Sequence, residues 1–216
     1  MSIEHKAWLL NYELFSDELA DILFHALDFG ETQILEGFID QYHGSMTDLW
    51  TWKPLRQDWQ EVLRKRLGTL DVLSLGDIAL TRYYDPTDDV GLSYGFDALG
   101  KYLNSVADLR HIADALIGGY WFGPKGKRFD PGGMGTGFVS LEQAREHLAL
   151  LAETRPSPIP EPDSIVYQEC LYKPETAKEV QESLNQLKRV YEMAVGKSYG
   201  VLLADFNDLP QTSPTW

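Results

Sequence analysis

Residues 117–138 hold the feature that most limits how this chain can fold. The segment reads IGGYWFGPKGKRFDPGGMGTGF and contains eight of the chain's 18 glycines. Glycine loses more backbone entropy on ordering than any other residue, so this density disfavours both helix and strand. The sequence therefore predicts an irregular loop that interrupts the regular patterns on either side.

The same segment contains residues that favour a binding function. Binding side chains concentrate on irregular segments that are held by a rigid scaffold. Its aromatic pair and its three cations are therefore candidate binding residues: Tyr120, Trp121, Lys125, Lys127 and Arg128. We expect them to form a locally basic surface.

Two common phosphate-binding fingerprints are incomplete in this loop. A P-loop needs glycine five positions before Gly-Lys and Ser or Thr after it. The loop's Gly-Lys pair has Trp121 and Arg128 at those positions. The dinucleotide fingerprint begins at Gly133 and fails at Phe138, where a third glycine is required. A generic pocket for a small anion is left as one interpretation.

The flanking sequence alternates between helical and strand periodicity. Apolar residues three or four apart predict helices, and period-two runs predict strands. The predicted helices cover residues 16–30, 34–44, 54–67, 94–117 (two short helices), 140–151 and 174–196. The predicted strands cover residues 6–14, 78–84, 165–172 and 201–206.

Local signals set several helix boundaries. Ser16 is predicted to cap the first helix and Gly30 to end it. Pro54 is expected in the first turn of the third helix, and a capping box is expected at Ser140. The basic cluster 64–66 falls in a last helical turn, where cations complement the carbonyl end, so it needs no ligand to explain it.

This order of elements predicts an α+β fold with a single domain. The domain is expected to span residues 1–206, with about six to seven helices packed on a small mixed β-sheet, followed by a polar C-terminal tail over 207–216. The proline-rich run 155–162 favours an extended conformation. Too few residues follow it for an independent core, so it is interpreted as a strap across the domain surface.

Composition narrows the classes of partner. The net charge of −14 argues against nucleic acid and anionic membrane, because both require a basic face. Acidity favours either solubility alone or a basic protein partner. The absence of a long apolar run predicts a cytoplasmic protein. The single cysteine, Cys170, excludes an internal disulfide, and no complete cofactor motif is present, so no cofactor is expected.

Three aspartates in the stretch DPTDD form a second candidate site. Asp85, Asp88 and Asp89 offer the oxygen ligands that hard cations prefer. The stretch lacks the central glycine and closing glutamate of a calcium-binding loop. A solvated acidic turn is the favoured interpretation, and the three carboxylates are kept as binding candidates.

The stretch GLSYG, with Ser93 at its centre, has the pattern of a hydrolase nucleophile elbow. That motif follows a buried strand, whereas a polar turn precedes Ser93. His111 and His147 lie downstream, as the base of such a hydrolase would. No two of the five histidines have zinc-pair spacing, so no metal is expected.

Four stretches together resemble the YfbM-like family of small bacterial proteins of uncharacterised function. They read LLNYELFSDELADIL, GLSYGFDALGKYLN, GTGFVSLEQAREHLALL and LNQLKRVYEMAVGKSYGVLLADF. The resemblance implies an α+β single domain in a bacterial protein, and it brings no catalytic residue to this chain.

Three functional hypotheses follow. The favoured one is a non-enzymatic, acidic protein-binding module, with an immunity-type inhibitor of a basic toxin as its candidate form. It is supported by the charge and by tryptophans expected to be exposed. The second is a protein or enzyme that binds a small anionic ligand at the glycine-rich loop. The third is a serine hydrolase at Ser93.

Overall fold

The computed structural model describes residues 3–90, 96–116, 122–124, 127, 129, 136–153, 158–170 and 173–207. Its strands and helices, in chain order, are β1 (Ile3–Leu10), α1 (Tyr12–Glu18), α2 (Ala20–Phe29), α3 (Gln33–Tyr42), β2 (Thr47–Asp48), β3 (Lys53–Pro54), α4 (Trp59–Leu67), α5 (Val72–Leu80), α6 (Phe96–Ser105), α7 (Arg110–Leu116), β4 (Thr136–Val139), α8 (Leu141–Glu153), α9 (Ala177–Lys197) and β5 (Gly200–Asn207).

The last strand, β5, is the centre of the main sheet. The strand order is β1–β5–β4, and β5 runs antiparallel to both neighbours. Successive side chains of a strand point to opposite faces. On one face Leu202 packs in a core with residues of α1–α5, and on the other Leu203 packs in a core with residues of α6–α9. The sheet therefore lies between two helical layers.

The predicted α+β class is confirmed, with two differences of detail. Nine α-helices occur in the described part of the chain, where about six to seven were expected. The main sheet is antiparallel throughout its described pairs instead of mixed, because β5 returns between β1 and β4 in the opposite direction to both. The number of domains stays a prediction.

The predicted strand over 78–84 is wrong, because residues Val72–Leu80 form α5. The carboxylate of Asp71 caps this helix by accepting a hydrogen bond from the N–H of Ser74 (2.7 Å). Leu75, Ile78 and Ala79 are buried at helical spacing in the same core as α1–α3. The short apolar run was compatible with either structure, and packing against neighbouring helices selects the helix.

The first helix begins earlier than predicted. The side chain of Asn11, and not that of Ser16, caps α1 by accepting a hydrogen bond from the N–H of Leu14 (3.3 Å). The predicted strand 6–14 therefore ends at Leu10. The chain is interrupted at Leu19, so two helices stand where one was predicted. Gly30 ends α2 in the left-handed conformation (φ 72°), as expected.

Pro54 lies in a short hairpin and not in a helix. It pairs with Thr47 across β2 and β3, and the N–H of Leu55 continues the pairing to the carbonyl of Met46 (2.8 Å). The helix α4 starts only at Trp59 and ends at Leu67, the predicted end. The cations 64–66 of its last turn all have carboxylate partners: Arg64 with Glu36 (3.7 Å), Lys65 with Glu61 (2.8 Å) and Arg66 with Asp48 (3.1 Å).

The second half of the chain follows the prediction more closely. Ser140 and Gln143 form the expected capping box, with reciprocal hydrogen bonds of 2.8 and 3.2 Å. The predicted strand 165–172 is wrong where it is described, because Ile165–Tyr167 form a 3-10 helix. The Ser164 hydroxyl starts it by accepting a hydrogen bond from the N–H of Val166 (3.3 Å).

Gly137 allows β4 and α7 to approach closely, and this contact can be tested. A Cβ at Gly137 would overlap the backbone carbonyl oxygen of Ala115. We expect Gly137→Ala to lower the free energy of unfolding by about 1–3 kcal/mol through this overlap. Gly37→Ala is the control: it lies on α3 in open space and should raise the value by about 0.5–1 kcal/mol. Urea unfolding curves measure both, and equal effects would contradict the close contact.

Candidate functional site

Most of the predicted binding residues of the glycine-rich segment lie outside the described residues. These are Tyr120, Trp121, Lys125 and Arg128. Lys127 is described and half-exposed. Its ammonium group donates to the backbone carbonyl of Asp28 and lies 3.9 Å from the Asp28 carboxylate. The one described cation of this segment is thus directed to an acidic residue of α2.

Other parts of the segment belong to the scaffold, which corrects the prediction of a wholly irregular loop. Residues Thr136–Phe138 are in β4. Phe129 is completely buried, and its N–H donates to the carbonyl of Phe122 (2.7 Å). The ring of Phe122 packs edge-on against Phe15 (5.4 Å between centroids) and Phe24 (6.3 Å). Aromatic burial fixes these positions despite the surrounding glycines.

The acidic turn at 85–89 covers the outer edge of β1. The N–H of Ala7 donates to the Asp89 carboxylate (3.2 Å), and the N–H of Val90 donates to the Ala7 carbonyl (2.8 Å). Lys6 forms an ion pair with Asp89 (3.8 Å). An uncovered edge strand exposes unpaired backbone groups, so Asp89 has a structural role at this edge.

Asp85 and Asp88 shape the turn itself. The Asp85 carboxylate accepts hydrogen bonds from the N–H (2.8 Å) and hydroxyl (2.7 Å) of Thr87, which hold the pKa of Asp85 below its usual range. The N–H of Asp88 donates to the Asp85 carbonyl (3.1 Å). Across the described ranges, no three His, Cys, Asp or Glu side chains converge in a way that could hold a metal ion.

A second acidic surface lies on α1 and α2, and sequence reasoning missed it. Residues 7–52 contain no lysine or arginine. The acidic residues in this range are Glu13, Asp17, Glu18, Asp21, Asp28, Glu31, Glu36, Asp40 and Asp48. Such a long stretch of one charge sign was visible in the sequence and is the signal that could have located the surface.

Glu13, Asp17 and Asp21 are exposed, and none of them has an ion-pair partner in the part of the chain that the structure describes. Glu13 and Asp17 lie four residues apart on α1, a spacing that places helical neighbours on one side. Asp21 lies in the first turn of α2. Farther along α2, Phe24 and Asp28 follow on the same side, opposite the buried Leu23, Ala26 and Leu27.

We call Glu13, Asp17, Asp21, Phe24 and Asp28 the acidic face. The ring of Phe24 is 44% exposed, and the next aromatic residue, Phe29, is 64% exposed. Single exposed apolar side chains are common on protein surfaces, and Phe24 is singled out because it lies beside exposed carboxylates. The arrangement offers both charge and apolar area to a partner.

A network of partly buried hydrogen bonds connects this surface to the rest of the fold. The Arg82 guanidinium donates to the Glu18 carboxylate (2.9 Å) and to the Ser45 hydroxyl (2.6 Å), and it stacks over the Tyr42 ring (4.1 Å). The Tyr83 hydroxyl also donates to Glu18 (3.2 Å). The hydrogen bond from Arg82 is the main reason that the pKa of Glu18 lies below its usual value.

The four described tryptophans divide into two groups. Trp8 and Trp59 are buried in the core, whereas Trp50 and Trp52 are 38% and 49% exposed on the hairpin Thr47–Pro54. The backbone of Trp52 is in the left-handed region (φ 56°), which is unusual for a bulky residue. The expectation of exposed tryptophans is therefore met by this hairpin.

The residues of the hydrolase hypothesis are only partly described. Ser93 lies outside the described residues. His147 is almost fully buried against the Tyr191 ring (5.2 Å between centroids). Burial, together with the charge of His111, lowers the pKa of His147 to about 4. His147 is thus part of the core around α8 and α9.

Comparison of the chain with models of known protein families, with curated proteins and with solved structures found no match. The resemblance to the YfbM-like family therefore stays a prediction. Among the described helices, none has the length and apolar character needed to cross a membrane.

Arg82→Met tests the network that fixes α1. We expect the substitution to lower the free energy of unfolding by about 1–2 kcal/mol at neutral pH, because it removes charged hydrogen bonds. A carboxylate with a lowered pKa stabilises the fold above its unfolded pKa, and this contribution is lost as the pH falls through the lowered value. The difference from wild type should therefore shrink below pH ~4.3.

Urea unfolding at a series of pH values measures this effect. Arg189→Met is a matched control, since Arg189 is exposed on α9 and forms no ion pair with any described residue. A difference for Arg82→Met that stays constant as the pH falls would contradict the role of the Glu18 carboxylate.

Proposed function

We propose that this protein is a non-enzymatic protein-binding module whose acidic face binds a basic partner. The observation that supports this most is the exposed row Glu13, Asp17 and Asp21, none of them paired with another described residue, beside the exposed ring of Phe24. The net charge of −14 adds a long-range field of the same sign.

The two components of the acidic face have different energetic roles. Carboxylates on an exposed surface mainly accelerate the encounter with a basic partner and select against acidic ones. Full burial of an exposed phenylalanine side chain contributes about 1.5–3 kcal/mol, and Phe24, which is 44% exposed, would contribute about half of that. Phe24 is therefore the proposed affinity anchor, and Glu13, Asp17 and Asp21 are the proposed steering groups.

An immunity-type inhibitor of a basic toxin is the proposed biological form of this module, acting in the cytoplasm. Inhibitors of this kind need rapid association and a charge opposite to that of their target, and both follow from the acidic face. No catalytic group of this chain takes part in the proposal. The exposed Trp50 and Trp52 are consistent with a binding surface, because aromatic residues are enriched at interfaces.

The alternative is a small anionic ligand at the glycine-rich segment. Its support is the cluster of Lys125, Lys127 and Arg128 in the sequence. The contact of Lys127 with Asp28 weighs against it, because that cation already has an acidic neighbour. The acidic face is therefore the better supported site.

Co-expression tests the immunity form directly. An adjacent reading frame should encode a basic domain that is toxic when expressed alone, and this protein should restore growth when expressed with it. A neighbour that is acidic or harmless, or growth that is not restored, would contradict the immunity form.

Surface variants test the acidic face with the same partner. We expect the Asp17→Lys, Asp21→Lys double variant to slow association about tenfold at low salt, and less at high salt because ions screen exposed charges. Phe24→Ser should instead speed dissociation, since apolar burial is lost. Surface plasmon resonance separates the two rates.

The matched control is the Glu142→Lys, Glu146→Lys double variant. It makes the same charge change at the same four-residue spacing, but on α8, beyond the other face of the sheet. If this control slows association as strongly as the α1–α2 variant, net charge alone explains binding and the acidic face is the wrong surface.

A further inference from the structure

We propose that a pocket beneath the hairpin Thr47–Pro54 binds a small carboxylic acid with a ring-sized apolar body. The pocket has a volume of about 350 Å³ and lies between the hairpin and α4. That volume is at the lower end of the range found for ligand sites in proteins. This inference is independent of the acidic face, which lies on α1 and α2.

The floor and one side of the pocket are apolar. Leu55, Trp59 and Leu63 are buried and form its floor, and the half-buried Val62 and the exposed Pro54 form its side. The indole N–H of Trp59 already donates to the Asp40 carboxylate (2.9 Å), so the floor offers no free donor to a ligand. An apolar group is therefore the part of a ligand that fits this end.

The rim of the pocket is cationic. Lys53, Arg56 and Arg66 line it together with a single carboxylate, that of Asp48. Arg56 pairs with Asp58 (2.8 Å), whereas Lys53 has no carboxylate partner in the described part of the chain. An excess of positive charge on a protein with a net charge of −14 favours an anion at this position.

The Asp48 carboxylate links the hairpin to α4. Its carboxylate accepts hydrogen bonds from the N–H of Trp50 (2.9 Å) and from the guanidinium of Arg66 (3.1 Å). Arg66 in turn lies over the Trp50 ring, 5.0 Å from its centre. These contacts hold Arg66 in place before any ligand arrives, and preorganised groups lose less entropy on binding.

A neighbouring depression lacks this combination of an apolar floor and a cationic rim. It is larger, about 690 Å³, but all its lining side chains are polar, among them Asp40, Glu61 and Lys65. None of its lining residues is apolar, whereas ligand sites are lined mainly by apolar and aromatic side chains. The pocket beneath the hairpin joins an apolar floor to a cationic rim, and this juxtaposition matches an apolar carboxylate.

Titration with two probes tests the proposal on the intact protein. The probes are 3-phenylpropionate and its neutral amide, and binding is followed by the amide NMR signals of the protein. We expect signals of the hairpin and α4 to shift, with the acid bound about fivefold or more tightly than the amide because of the cationic rim.

Two variants complete the test. Lys53→Gln should reduce the preference for the acid over the amide without changing the fold, because Lys53 is exposed. Val62→Phe should abolish binding of both probes by filling the pocket. Lys65→Gln is the control, since it removes a cation from the same helix outside the pocket.

The outcomes separate cleanly. Binding that is lost with Val62→Phe, and a preference for the acid that falls with Lys53→Gln but not with Lys65→Gln, support the proposal. No binding of the acid by the wild type, an equal loss of preference with Lys65→Gln, or signal shifts confined to other elements would overturn it. Lys53→Gln keeps the proposal testable even if Val62→Phe fails to fold.

Discussion

The burial of β5 on both faces is the constraint on which the rest of this structure depends. Leu202 and Ala204 belong to one core, and Val201 and Leu203 belong to the other. A strand in this position has no side that tolerates water, so its sequence from Val201 to Ala204 is continuously apolar. Each helical layer is stabilised through contact with alternate residues of this one strand. A polar substitution at Leu202 or Ala204 would therefore disturb the packing of α1–α5. One at Val201 or Leu203 would disturb the packing of α6–α9.

The parts of the fold that were predictable are those set by neighbours in sequence. Gly30 ends a helix because of its own backbone freedom, and Ser140 caps one through a residue three positions away. The errors arise where distant contacts decide. Residues 78–80 are helical because they pack against α2 and α3, and Pro54 is in a hairpin because it pairs with Thr47. A local sequence pattern does not show which distant residues will be in contact.

In the candidate site, too, features set by neighbours in sequence were predictable and features set by distant contacts were not. The sequence indicated acidity and exposed tryptophans, but it could not show which carboxylates have partners. Glu18 is neutralised by Arg82, 64 positions away, whereas Asp17, its neighbour in sequence, is left facing solvent. The distinction between a structural and an available charge is a tertiary property. The helix-dipole explanation of the basic cluster 64–66 could not include its carboxylate partners, of which Glu36 and Asp48 are distant in sequence.

Residues 83–90 cover part of the outer edge of β1 and limit how a partner can bind there. The outward backbone groups at Ala7 and Asn11 are already hydrogen-bonded to residues 83–90. A partner strand therefore cannot extend the main sheet at these positions by main-chain pairing, a common way for proteins to capture peptides. Recognition at this part of the β1 edge must therefore rely on side chains. Its specificity then becomes sensitive to single substitutions, because side-chain contacts depend on residue identity in a way that backbone ladders do not.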